Sequence, residues 1–165
     1  MSKRARQYIG LITAVLLYYL VHEGAHLVFA LSTGVFKQIN FIGLGIQVDI
    51  FAEQLSQTQL GLFCLLGVVA TTVLAYVLVA LGKKIGDAKS KLFKACTYYV
   101  TLIMLLMDPL YLSVLCGFFG GGDMNGISLL MPEIAARIGF GVLLLVNGVV
   151  FVKIVLPTYK KAFSK

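Results

Sequence analysis

Apolar residues fall into four long runs, roughly 8–31, 60–81, 95–116 and 134–156, separated by stretches where polar residues and glycine collect. Each run is about 22–24 residues long, and about 20 residues of helix cross the hydrocarbon core of a bilayer. Lipid admits only helices or closed barrels, because every backbone N–H and C=O must find an internal partner. The pattern predicts an all-α polytopic membrane protein with four transmembrane helices, in a single membrane-embedded domain over residues 1–165. One stretch follows a different period. In FKQINFIGLGIQVDIF (36–51), apolar and polar residues alternate from Ile46 through Gln47, Val48 and Asp49 to Ile50. Alternation is a strand signal, and Gly43 and Gly45 suit a turn. A short β-hairpin at the membrane surface is therefore expected after the first span.

Composition agrees. The chain is 59% hydrophobic and 13% charged, whereas a soluble domain carries about 25% charged residues. The net charge of +7 does not point to nucleic acid, because the cations sit at the ends of the runs and between them. Lys3, Arg4 and Arg6 precede the first run, Lys83, Lys84, Lys89, Lys91 and Lys94 lie between the second and third, and Lys160, Lys161 and Lys165 follow the fourth. The other side of a four-span arrangement receives only Lys37 and Arg137. By the positive-inside rule this predicts a multi-pass protein of the cell membrane with both termini cytoplasmic. A basic start, an apolar run and Ala30-Leu31-Ser32 also suit a signal peptide, but the run is longer than a usual signal core. It is read as a retained span. Cys64, Cys96 and Cys116 stand in apolar surroundings without C-x-x-C spacing and predict free, buried thiols.

The first run also contains His22-Glu23-Gly24-Ala25-His26, an H-E-x-x-H sequence built from the chain's only two histidines. Positions i and i+4 share a helix face, so both imidazoles can reach one metal ion, with the intervening glutamate as a base beside it. Random placement would give this arrangement on the order of a few times in ten thousand. Ionisable groups are costly inside a membrane and are functional by default. A catalytic zinc needs a third protein ligand, and the remaining carboxylates in uncharged surroundings are Asp49, Glu53, Asp108, Asp123 and Glu133.

The order of these features resembles the site-2 protease family of intramembrane zinc metalloproteases: HEGAH in an apolar span, a strand segment, another span, then a third leading to GGGDMNG. In that family the third zinc ligand is an aspartate in a Leu-Asp-Gly-like motif, which implies Asp123 here. The family commonly has Asn-x-x-Pro shortly before that aspartate. This chain has Asp108-Pro109 instead, farther from Asp123. Depth along the spans favours Asp108, since His22 and Asp108 each lie about 20 Å along parallel helices. A residue before proline is pushed out of the α region, so a helix break is expected near Asp108. Gly117, Gly120, Gly121 and Gly122 would then let the chain return toward the site. Both aspartates stay open as the third ligand, and the other can orient a histidine through its second ring nitrogen. Asn125 is a weaker candidate, as donor to an oxyanion or as a plain turn residue.

The expected function is zinc endopeptidase action on membrane-embedded peptides or single-span proteins, with Glu23 as general base. The alternative is a non-proteolytic membrane protein, either a metal-binding transporter subunit or an inactive relative that binds membrane segments. The near-absence of polar residues from the second and fourth runs argues against a conduction path. The sequence names neither a substrate nor an oligomeric state.

Overall fold

A computed structural model describes residues 1–42, 45–118 and 122–164. Helix α1 covers Lys3–Thr33, α2 Gln57–Gly86, α3 Lys91–Ser113 and α4 Gly122–Ile127. The last helix, α5, runs Glu133–Ser164 and includes a π-helical turn at Phe151–Val155. Four of these, α1, α2, α3 and α5, are long and apolar enough to cross a membrane. An antiparallel hairpin of β1 (Phe36–Ile42) and β2 (Gly45–Ile50) follows α1, as the period-two stretch anticipates. The expected turn residue Gly43, the loop glycines Gly120 and Gly121, and Lys165 lie outside the described residues.

Serines start three of the helices, α1, α2 and α3. Ser2, Ser56 and Ser90 accept hydrogen bonds from the backbone N–H groups of Ala5, Gln59 and Phe93, which would otherwise lack partners. Gln59 returns a bond to the Ser56 N–H, completing a capping box. Helix α1 ends at Gly34, whose φ of 74° is left-handed and directs the chain back into β1. The hairpin then runs back along α1, so that Val48 meets Glu23, ten residues before the helix ends at Thr33. At 1.5 Å per residue that is about 15 Å from the helix terminus.

The expected helix break at Asp108 is not found. Helix α3 continues through Pro109 to Ser113. Proline has no N–H, so the carbonyl four residues earlier, on Leu105, loses its helical partner. Asn147 of α5 supplies the replacement: its Nδ2 donates to Leu105 O at 2.7 Å. The same amide accepts from the Tyr76 hydroxyl of α2 at 2.8 Å. A neighbouring helix that satisfies the freed carbonyl lets proline stay inside a spanning helix. The fourth run is therefore not purely apolar. Its one amide ties α2, α3 and α5 together and is fully buried.

The cysteines are free. Cys64 and Cys116 are buried, and Cys96 is partly exposed. Two apolar cores flank the level of His22. One gathers Ala30, Val48, Phe63, Leu112 and Met124, the other Ala14, Ala75, Met104, Leu105 and Tyr159.

Candidate metal centre

Helical spacing places His22 and His26 on one face of α1, 7% and 3% exposed, with ring centroids 5.0 Å apart. Helix α2 presses against this face. A Cβ at Gly67 would sit 2.5 Å from His22 Nε2, so only glycine allows the approach. Phe63, one turn away on α2, packs on the His26 ring at 4.5 Å. One donor atom from each of His22, Glu23 and His26 lies within 4.8 Å of the others, a group that can hold a metal ion.

Asp123 arrives from the first turn of α4. Its Oδ2 lies 3.0 Å from His22 Nε2 and its Oδ1 3.6 Å from His26 Nε2. Two ligands of one tetrahedral zinc, each bonded at about 2.1 Å, sit about 3.4 Å apart. The separations match that requirement. Both ring nitrogens of His26 are buried without a hydrogen-bond partner among the described residues. A buried polar atom in this condition is costly unless something satisfies it, and a metal ion beside Asp123 would do so for Nε2. Imidazole nitrogens and carboxylate oxygens in this arrangement could hold a metal ion.

Asp108 approaches the same imidazole from behind. Its Oδ1 is 3.2 Å from His22 Nδ1, close though not aligned for a hydrogen bond. The carboxylate also accepts from the Tyr18 hydroxyl of α1 and the Thr71 hydroxyl of α2. Asp108 thus lies at the level of His22 that depth along the spans anticipates, on the Nδ1 side of the ring. Asp108 meets Nδ1, and Asp123 meets the two Nε2 atoms.

Glu23 is half-buried, and its Oε2 accepts the Val48 N–H at 2.9 Å. Glu23, both histidines, Asp108 and Asp123 line one cavity of about 800 Å³ with residues 45–48 of β2. Asn125 lies elsewhere: it is exposed on α4 and does not line the cavity, so the oxyanion role gains no geometry. Tyr18, Thr71 and Gly67 escape a reading of the sequence. A threonine inside a span commonly bonds its own helix, as Thr71 also does toward Gly67 O at 3.1 Å. Only the neighbouring Asp108 shows that this hydroxyl has a second use.

Fold and site together define a helical bundle of membrane-spanning length with a buried group able to hold a metal. No family model, curated protein or solved structure matches the chain.

Proposed function

We propose that the protein is an intramembrane zinc metalloendopeptidase of the site-2 protease kind, with His22, His26 and Asp123 as ligands. The observation that carries this reading is the approach of one carboxylate to Nε2 of both H-E-x-x-H histidines, in a cavity that Glu23 also lines. A bound zinc supplies Lewis acidity, polarising a carbonyl and making water nucleophilic near neutral pH.

The chain's own residues do the rest. Glu23, beside the histidines, takes a proton from the attacking water and delivers it to the departing amine. The Val48 N–H holds Oε2 and leaves Oε1 for that water. Asp108 fixes the rotation of His22 and, with Nδ1 protonated, keeps the Nε2 lone pair directed at the metal. Tyr18 and Thr71 hold Asp108 in turn. Because Val48 directs its N–H away from β1, Ile46, two residues away, turns its backbone groups to the same outer edge. That edge borders the cavity and can pair with an extended segment of substrate. A helical substrate must unwind first, since its carbonyls are occupied by internal hydrogen bonds. The substrate class is a membrane-embedded peptide or single-span protein, cleaved in the cell membrane by a chain with both termini cytoplasmic.

The test measures zinc content and cleavage of a membrane-peptide substrate by wild type, Glu23→Gln, Asp123→Asn and Asp108→Asn. Glu23→Gln is expected to keep zinc and lose about 10²–10⁴-fold in rate. Asp123→Asn is expected to lose zinc. Full cleavage by Glu23→Gln would exclude the mechanism. Zinc kept by Asp123→Asn and lost by Asp108→Asn would reverse the ligand assignment.

A further inference from the structure

A second cavity, of about 530 Å³, lies at the opposite end of the bundle, between the start of α1, the first three turns of α3 and the end of α5. Its rim carries three cations, Lys3 and Arg6 from α1 and Lys160 from α5. No acidic residue lines it, and none of the three cations forms an ion pair among the described residues. Arg6 commits one N–H, to Met1 O at 2.7 Å, and keeps its other donors. A fourth cation stands behind the wall: Lys94 is buried, donates to Ala162 O at 2.6 Å, and lies 5.8 Å from the Phe163 ring.

Below the rim the lining changes character. Tyr98, Tyr99 and Tyr159 form aromatic walls, with the Tyr98 and Tyr159 rings in edge contact at 5.3 Å. Tyr98 and Tyr99 lie seven and eight residues into α3, which begins at Lys91, so the cavity descends about 10 Å from the charged end of the helix. Cations above and aromatic rings below is the order in which a bilayer presents phosphate and then hydrocarbon. Clustered lysine and arginine between spanning helices select anionic lipid head groups.

We infer that this cavity binds an anionic phospholipid, with its phosphate held by Lys3, Arg6 and Lys160 and the start of its acyl chains against Tyr98, Tyr99 and Tyr159. The site shares no residue with the metal-centre cavity and does not depend on proteolytic activity.

The test uses the full chain in nanodiscs of phosphatidylcholine mixed with phosphatidylglycerol, followed by native mass spectrometry of the released protein. Wild type is expected to retain phosphatidylglycerol in preference to phosphatidylcholine. Each basic residue near an anionic head group contributes about a factor of five, so the combined K3Q, R6Q and K160Q variant should lose about a hundredfold of that preference. A control variant with K84Q, K89Q and K91Q removes the same charge from exposed positions that do not line the cavity. It should keep the preference. Thermal unfolding of both variants checks that the substitutions leave the bundle intact. The inference fails if the control loses as much as the rim variant, which would mean diffuse attraction. It also fails if the rim variant keeps its preference, or if inorganic phosphate displaces the lipid, which would mark a site for a free anion.

Discussion

The two ends of the bundle handle charge in opposite ways. At one end His22, His26 and Asp108 are buried; His22 lies 3.2 Å from Asp108 and 3.0 Å from Asp123, and His26 lies 3.6 Å from Asp123. At the other, Lys3, Arg6 and Lys160 stand around an open cavity without a protein counter-ion among the described residues. A group inside an apolar bundle must find its partners within the fold, so its neighbours are few and fixed. A cation at the rim keeps water and can take its partner from outside. The first arrangement suits a precise centre and the second a fluid ligand. Substitutions at the buried end should therefore act through geometry, and those at the rim through summed charge.

The sharpest break of this contrast comes from a residue with no polar atom in its side chain. Gly67→Ala would place a methyl carbon 2.5 Å from His22 Nε2. The ring must move, and a displacement of about 1 Å at a catalytic centre costs on the order of a hundredfold in rate. Peptide cleavage by Gly67→Ala, read beside its zinc content, measures this directly. Wild-type cleavage would mean that α2 does not position His22. Removing the charge behind the ring should cost less. Asp108→Asn is expected to weaken zinc affinity about 10–100-fold, the range found when a group that orients a metal-binding imidazole is changed. Competition with a fluorescent chelator gives the number. Thr71→Val, which removes one of the hydroxyls on Asp108, should fall between this variant and wild type.

The sequence is informative where physics is local and silent where it is not. The four apolar runs and the period-two stretch are local, and α1, α2, α3, α5 and the hairpin appear where they were expected. The H-E-x-x-H pair is local too, since four residues of helix bring both rings together. The partner of His22 lies 101 residues away. Choosing between Asp108 and Asp123 requires knowing how α3 is rotated, which depth along a helix does not supply. Pro109 shows the same limit. Its own effect is legible and argues for a break, but the group that prevents the break is Asn147, 42 residues beyond the carbonyl it rescues. An amide in an apolar run is a visible signal, and setting it beside a proline in the preceding run would have suggested the pairing.

Asn147 lies between the two ends and tests whether a buried polar group counts mainly through the partner it satisfies. Asn147→Leu strands the Leu105 carbonyl, and a buried group left without a partner costs about 1–3 kcal/mol; the Tyr76 hydroxyl also loses its bond, on a residue that is itself exposed. In the Pro109→Ala background residue 109 regains an N–H, which can reach Leu105 O in ordinary helical fashion. The cost of Asn147→Leu should then shrink by about 1–3 kcal/mol, the share due to that carbonyl. Unfolding of the four proteins of this double-mutant cycle in mild detergent provides the comparison. Equal costs in both backgrounds would show that Asn147 stabilises the bundle by packing alone.

The smallest effect belongs to a cross-strand ion pair of the hairpin, which lies at the buried end of the molecule but is itself outside. Lys37 Nζ reaches Asp49 Oδ2 at 3.1 Å, and both side chains are solvated. The bond from Lys37 holds the Asp49 carboxyl below its ordinary value of 3.8. A depressed folded-state pKa stabilises the folded form above the unfolded value, and the contribution disappears as pH falls through the folded value. Hairpin amides should therefore lose some protection, measured against their intrinsic exchange rates, below pH 4 in wild type, and Lys37→Gln should remove that dependence while leaving protection near neutral pH almost unchanged, because exposed pairs contribute little. Zinc affinity should not move. If Lys37→Gln loosened the Val48 amide at neutral pH as much as Asp108→Asn loosens the metal, exposed charge would be setting the geometry of the site, and the division between a buried end ruled by fixed partners and an outer surface ruled by solvent would not hold.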